Sequence, residues 1–149
     1  MKKTLMIIVA ILMAIGVRAQ QLDIGMSIVP TASTVNFDAE NIAVSTLLLA
    51  HVNFSTKKSY HVLAYNFNGA AIMMLHGWTY RSDQDVYLSL SKNLKDAEGY
   101  LGIGWEHTVS CGGFTPSAFI ELGTNYAFSE SYFSVGIFAP LSWTVWKKK

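Results

Sequence analysis

Between residues 133 and 145 the chain places Phe133, Val135, Ile137, Ala139, Leu141, Trp143 and Val145 at every second position. Successive side chains of a strand point to opposite sides, so a period of two marks one apolar face of an extended segment. A helix would instead repeat its apolar residues three and four apart. The same period recurs upstream. Leu22, Ile24, Met26 and Ile28 alternate with Asp23, Gly25 and Ser27. Val86, Leu88 and Leu90 alternate with Asp85, Tyr87, Ser89 and Ser91, and Leu101, Ile103 and Trp105 with Tyr100, Gly102, Gly104 and Glu106.

Eight segments read as strands: 22–30, 42–54, 60–67, 70–80, 85–93, 99–108, 117–126 and 132–146. Polar turns separate them at Lys57-Lys58-Ser59, Arg81-Ser82-Asp83 and Lys95-Asp96-Ala97-Glu98-Gly99, and a longer one holds Cys111-Gly112-Gly113 and Pro116. Asn68-Gly69 predicts a tight hairpin turn with positive φ at both central residues. The stretch from Thr31 to Asn41 is the longest link and predicts a mobile loop. Pro140 removes a ladder donor from the last strand and predicts a bulge there. Short strands in succession with no helices between them predict an all-β fold, an up-and-down antiparallel β-barrel of about eight strands.

The first residues bear on where such a barrel resides. Lys2 and Lys3 precede an apolar run from Leu5 to Val17, and Val17-Arg18-Ala19 presents small residues where a signal peptidase cuts. Residues 1–19 therefore read as a cleaved signal peptide and residues 20–149 as a single barrel domain. The apolar run is shorter than the ~20 residues of a membrane-spanning helix. Loss of Lys2, Lys3 and Arg18 turns the formal charge of +1 into −2, which gives no electrostatic case for nucleic acid. Cys111 is the one cysteine, so no internal disulfide can staple the domain.

Alternation alone does not say which way the apolar face points, so the opposite face decides. Charged residues make up 14% of the chain, against roughly 25% in ordinary soluble domains. Lys57, Lys58, Arg81, Lys92, Lys95 and Lys147 to Lys149 all lie in turns, at strand ends or in the tail. The polar side of the strand interiors carries small residues instead, among them Ser27, Ser45, Gly102, Gly104, Gly123, Ser134 and Gly136. Such residues suit the crowded lumen of a narrow barrel better than a solvated surface. Tyr60, Trp78, Tyr80, Tyr100, Tyr126, Tyr132, Trp143 and Trp146 lie near strand ends, where membrane barrels carry aromatic girdles.

In this pattern the chain resembles the small eight-stranded outer-membrane β-barrels of the OmpA and OmpX kind. The resemblance spans the mature chain and is architectural: a signal peptide, alternating segments, glycine-rich lumen positions and an aromatic last strand. It implies an outer-membrane location, lipid as the partner of the apolar face, a monomeric barrel, and a structural, adhesive or interaction role through the loops, which could engage a protein partner. The alternative is a soluble periplasmic or secreted barrel of lipocalin type, with an apolar ligand inside.

By parity, Asp23, His51, Tyr87, Glu106 and Glu121 share the lumen face, with Asp85 and Tyr100, as a hydrogen-bonded polar plug. No lumenal Lys or Arg is placed to pair with Glu106 and Glu121, which leaves His51, water or carboxyl protonation as candidates. Trp78, Tyr126, Trp143, Trp146 and Lys147 are the expected anchors at the membrane interfaces. Glu106-His107 with Ser110 and Glu121 invites comparison with the lipid A deacylases. However, His107 and Ser110 are three apart and fall on opposite faces of a regular strand, so no catalytic activity is expected. His51, His61, His76 and His107 share no ligand spacing, so neither metal nor cofactor is expected.

Overall fold

The computed structural model describes residues 19–96, 98–112 and 114–148. The signal-peptide expectation falls on residues 1–18 and so lies outside the described residues, apart from its last residue. Each alternating segment forms a strand: β1 (Gln21–Val35), β2 (Ile42–Ser55), β3 (Ser59–Asn66), β4 (Ala71–Arg81), β5 (Gln84–Asn93), β6 (Gly99–Thr108), β7 (Ser117–Asn125) and β8 (Ser131–Lys147). They pair antiparallel in sequence order, and β8 pairs with β1 to close the barrel. Closure pairs every strand on both sides through the body of the barrel, which is how such a chain limits edge-to-edge association.

The strands are staggered as well as closed. Following directly opposed residues once round the wall, Gln21 leads through Ser55, Tyr60, Gly77, Tyr87, Gly104, Glu121 and Ser134. The path returns to β1 at Ser33, well along the strand from its start. This offset tilts the strands against the barrel axis and widens the interior.

The apolar side of the alternation points outward. Ile24, Met26, Ile28, Leu88, Leu90, Ile103, Ile120, Leu122, Ile137 and Leu141 are all exposed. Inside, Val29, Leu49 and Ala64 form a small buried cluster against Leu47, Val62, Met73, Phe119 and Phe138. The lumen is therefore apolar along part of its wall, where parity alone had drawn attention to its polar and small residues.

Three local expectations are corrected. First, Thr31 to Val35 extend β1, paired with β2 and β8, rather than opening a mobile loop. The chain then reverses at Asn36 and Phe37, both at positive φ (52° and 57°), with Asp38 N donating to Val35 O. That turn is tied to β8, because Ser131 N donates to Asn36 Oδ1. Asp38 closes the remainder of the loop by accepting from the Asn41 side chain and the Glu40 N–H, which hold its carboxyl below the usual carboxylate range.

Second, the positive φ of the β3–β4 connection falls on Ala70 (49°), not on Asn68 and Gly69. Asn66 Oδ1 accepts from Asn68 N, and Asn68 Nδ2 donates to Thr46 O. Those side-chain bonds shape a longer connection over residues 67–70, and the left-handed residue is its last.

Third, β8 is irregular between the Leu22–Trp146 and Asp23–Thr144 pairs, where Val145 is the extra residue, and not at Pro140. The β7–β8 ladder stops at Ser117 opposite Phe138, so Pro140 lies past its end. A missing N–H on that side breaks no pair, and Pro140 stays in register with Ser27. The bulge falls instead at the barrel rim, where bulges concentrate.

Candidate functional site

The lumen encloses a cavity of about 860 Å³, and Asp23, His51, Tyr87, Glu106 and Glu121 all line it. They lie there because each shares the parity of the small residues on its strand. The structure divides them into separate groups rather than one plug. Asp23 is buried and accepts from Gln21 Nε2 (2.9 Å) and Thr144 Oγ1 (2.7 Å). His51 is buried with Nδ1 3.1 Å from Ser27 Oγ and Nε2 3.0 Å from Ser142 Oγ. One ring nitrogen donates and the other accepts, so a neutral imidazole satisfies both hydroxyls and links β1 to β8 through β2.

The glutamates lie on the other side of the wall and find hydroxyl partners. Tyr60 Oη donates to Glu106 Oε2 (3.4 Å), and Tyr132 Oη donates to Glu121 Oε1. His51 is therefore not their partner. Tyr60 and Tyr132, expected in the aromatic girdle, line the lumen instead, and so does Tyr100, on the face where parity placed it. Parity could have placed Tyr132 there, since it shares its face with Ser134 and Gly136, but proximity to a strand end favoured the rim.

Space for these rings comes from glycine. Tyr60 opposes Gly77, Tyr87 opposes Gly104 and Tyr132 opposes Gly123. In each pair the tyrosine ring occupies the volume a Cβ on the glycine would need. Tyr87, at 2% exposure, is the most buried of these rings.

Not every lumenal acceptor is matched. Asn53 Oδ1 and Asp85 Oδ1 are buried without a hydrogen-bond partner. None of the residues lining the cavity is Lys or Arg. Among the described residues no group of three His, Cys, Asp or Glu side chains is arranged to hold a metal ion.

The expected anchors fall at opposite ends. Trp78, Trp143 and Trp146 are exposed near the end that carries Gln21 and Lys147, and Lys147 closes β8 opposite Gln21. Tyr126 lies at the other end, its ring over Gly99. With it stand the exposed Phe67 and Phe128. Trp105, absent from the expected anchors, donates from Nε1 to Tyr80 Oη (2.9 Å), and Tyr80 donates to Gln84.

His107 turns away from Glu106, stacks on Trp105 and places Nδ1 3.5 Å from Asp83. Among the described residues no hydrogen bond joins it to Ser110. His61 and His76 face each other across β3 and β4 with their Nδ1 atoms 2.9 Å apart. Their separation in sequence gave no hint of this, because cross-strand register brings them together.

No family model matches the chain, and comparison with curated proteins and with solved structures likewise yields no match.

Proposed function

We propose that this chain is a small outer-membrane β-barrel protein, held in lipid by its outer face and acting through its loops in a structural, adhesive or interaction role. The observation that carries the reading is the outward band. Ile24, Met26, Ile28, Ile103, Leu122 and Ile137 are exposed together, and the middle of the outer face carries no Lys, Arg, Asp or Glu among the described residues. Monomeric soluble proteins rarely expose contiguous apolar patches beyond a few hundred Å², whereas lipid requires such a band. Tryptophans at one end and Tyr126 at the other flank it, as amphipathic rings do at headgroup level.

The loops support an interaction role. Phe37 and Phe128 both hold positive φ (57° and 55°) and are 61% and 76% exposed. An aromatic held in a strained backbone at a loop tip stabilises nothing inside the barrel, which favours a surface displayed for contact.

A soluble periplasmic or secreted barrel draws support from the apolar stretch of the lumen. It would, however, leave the outer band in water, and the membrane reading accommodates both features. Fractionation tests the choice. The mature protein should stay in the membrane fraction through an alkaline carbonate wash and need detergent to remain folded. Release by carbonate, or folding in water alone, overturns the membrane reading.

A further inference from the structure

Lumens of narrow barrels are filled by side chains, yet this one retains about 860 Å³, within the range of small-molecule pockets (roughly 300–1,000 Å³). Its lining is amphipathic. Val29, Leu47, Leu49, Val62, Met73 and Phe138 give it an apolar stretch. Asp23, Asp85 and Glu106 stand at the end that holds Gln21: Asp23 near the start of β1, Asp85 near the start of β5 and Glu106 near the end of β6. Asp85 Oδ1 and Asn53 Oδ1 are buried acceptors with no donor, and no lumenal Lys or Arg offers one. Unmatched buried acceptors cost stability unless a donor arrives.

The wall also has a gap. Below the Ser117–Phe138 pair β8 has no β7 partner, and Pro140 has no N–H to offer one. A smaller cavity of about 230 Å³ lies there, lined by Phe114, Thr115, Pro140, Leu141, Ser142 and Trp143. Thr115, Pro140 and Ser142 also line the lumen, so the two spaces share this part of the wall.

We propose that the lumen binds a single-chain amphiphile with an amine head, admitted through the gap between β7 and β8. The alkyl chain lies along Val29, Leu49, Val62 and Phe138, and the ammonium donates to Asp85 and Glu106. Carboxylate-headed chains are disfavoured, because Asp23, Asp85, Glu106 and Glu121 bring like charge with no cation to offset it. The site belongs to the lumen, while the route through the gap and the lipid format of its test rest on the membrane reading.

The methionines supply the measurement, since Met73 lines the lumen while Met26 is 53% exposed on the outer face. The full mature chain is folded in lipid nanodiscs with methyl-labelled methionine and titrated with decylamine, decanol or decanoate. Decylamine should shift the Met73 methyl saturably while Met26 moves only as lipid partitioning dictates, and decanoate should bind at least about tenfold more weakly. Glu106→Gln should weaken decylamine by about tenfold and leave decanol unchanged. Parallel, unsaturable shifts at both methionines, or equal binding of decanoate, overturn the site. That comparison uses the wild-type chain, so it holds even if a lumen variant fails to fold. Thr115→Trp should slow exchange at Met73 without changing affinity, and an unchanged rate overturns entry through the gap.

Discussion

Tyr87 stands directly opposite Gly104 across β5 and β6, and its ring fills the space that a Cβ on residue 104 would occupy. The ring enters the lumen by lying over the neighbouring strand, so the glycine is required sterically. Gly104→Ala should therefore force Tyr87 from its seat and cost about 1–3 kcal/mol, as overpacking of a filled interior does. Tyr87→Ala should make a second change at 104 nearly free, so the two substitutions will be far from additive. Urea unfolding of the refolded protein in lipid vesicles measures both, and additive losses would show that the ring and the glycine are not coupled.

Much of this fold was legible because an up-and-down barrel needs only local information. Alternation marks each strand, polar turn residues mark each reversal, and neighbours in sequence become neighbours in the wall. β6, with Leu101, Ile103 and Trp105 against Tyr100, Gly102 and Gly104, has the boundaries its pattern implied. What was hidden depends on register. The His61–His76 contact, the seating of Tyr60 on Gly77 and the hydroxyl partners of Glu106 and Glu121 all arise from which residues oppose one another. β1 runs past residue 30, where its clean alternation ends, because pairing on both sides carries it through Pro30 to Val35. Pro30 pairs with Thr46, and the β1–β8 register is the same before and after it, at Ile28 opposite Ala139 and Thr31 opposite Gly136.

Pro140 gives a clean test of that kind of reasoning. Its missing donor falls beyond the last β7–β8 pair, so Pro140→Val should leave stability within about 0.5 kcal/mol of wild type. Val135 differs because it pairs with Ile120 on one side and Ala32 on the other. Val135→Pro removes a donor inside a closed ladder and should cost about 3 kcal/mol or more, or abolish folding. Unfolding midpoints for the two variants decide the matter, and a large gain at residue 140 would mean that an acceptor on the β7 side lacks the donor that proline withholds.

The left-handed residues carry a cost that glycine would relieve. For a residue with a Cβ the left-handed conformation costs roughly 1–2 kcal/mol, so Ala70→Gly should stabilise the β3–β4 hairpin by up to about 1 kcal/mol. Phe37→Gly should do the same at the β1–β2 turn. If Phe37 is displayed for contact, the more stable variant will also bind its partner or adhere to its surface less well. Equilibrium unfolding reads the first effect and a cell-adhesion comparison the second. A loss of stability at residue 70 would show that another force holds its backbone.

The outer face makes the sharpest demand on the membrane reading, because water and lipid treat a cation at the same position differently. Ile103 sits in the middle of β6 with its side chain 53% exposed, whereas Val145 lies near the end of β8 beside Trp146. In lipid, Ile103→Arg places a guanidinium near the bilayer centre and should cost about 2–4 kcal/mol. Val145→Arg, at the headgroup level, should cost about 0–1 kcal/mol. A soluble barrel would give no such gradient, since an exposed isoleucine replaced by arginine changes stability by only about 0.5 kcal/mol in either direction. Unfolding free energies measured in vesicles for the two variants therefore report the depth of each residue. Equal, small effects at 103 and 145 would place the band in water and remove the main support for a membrane-held barrel.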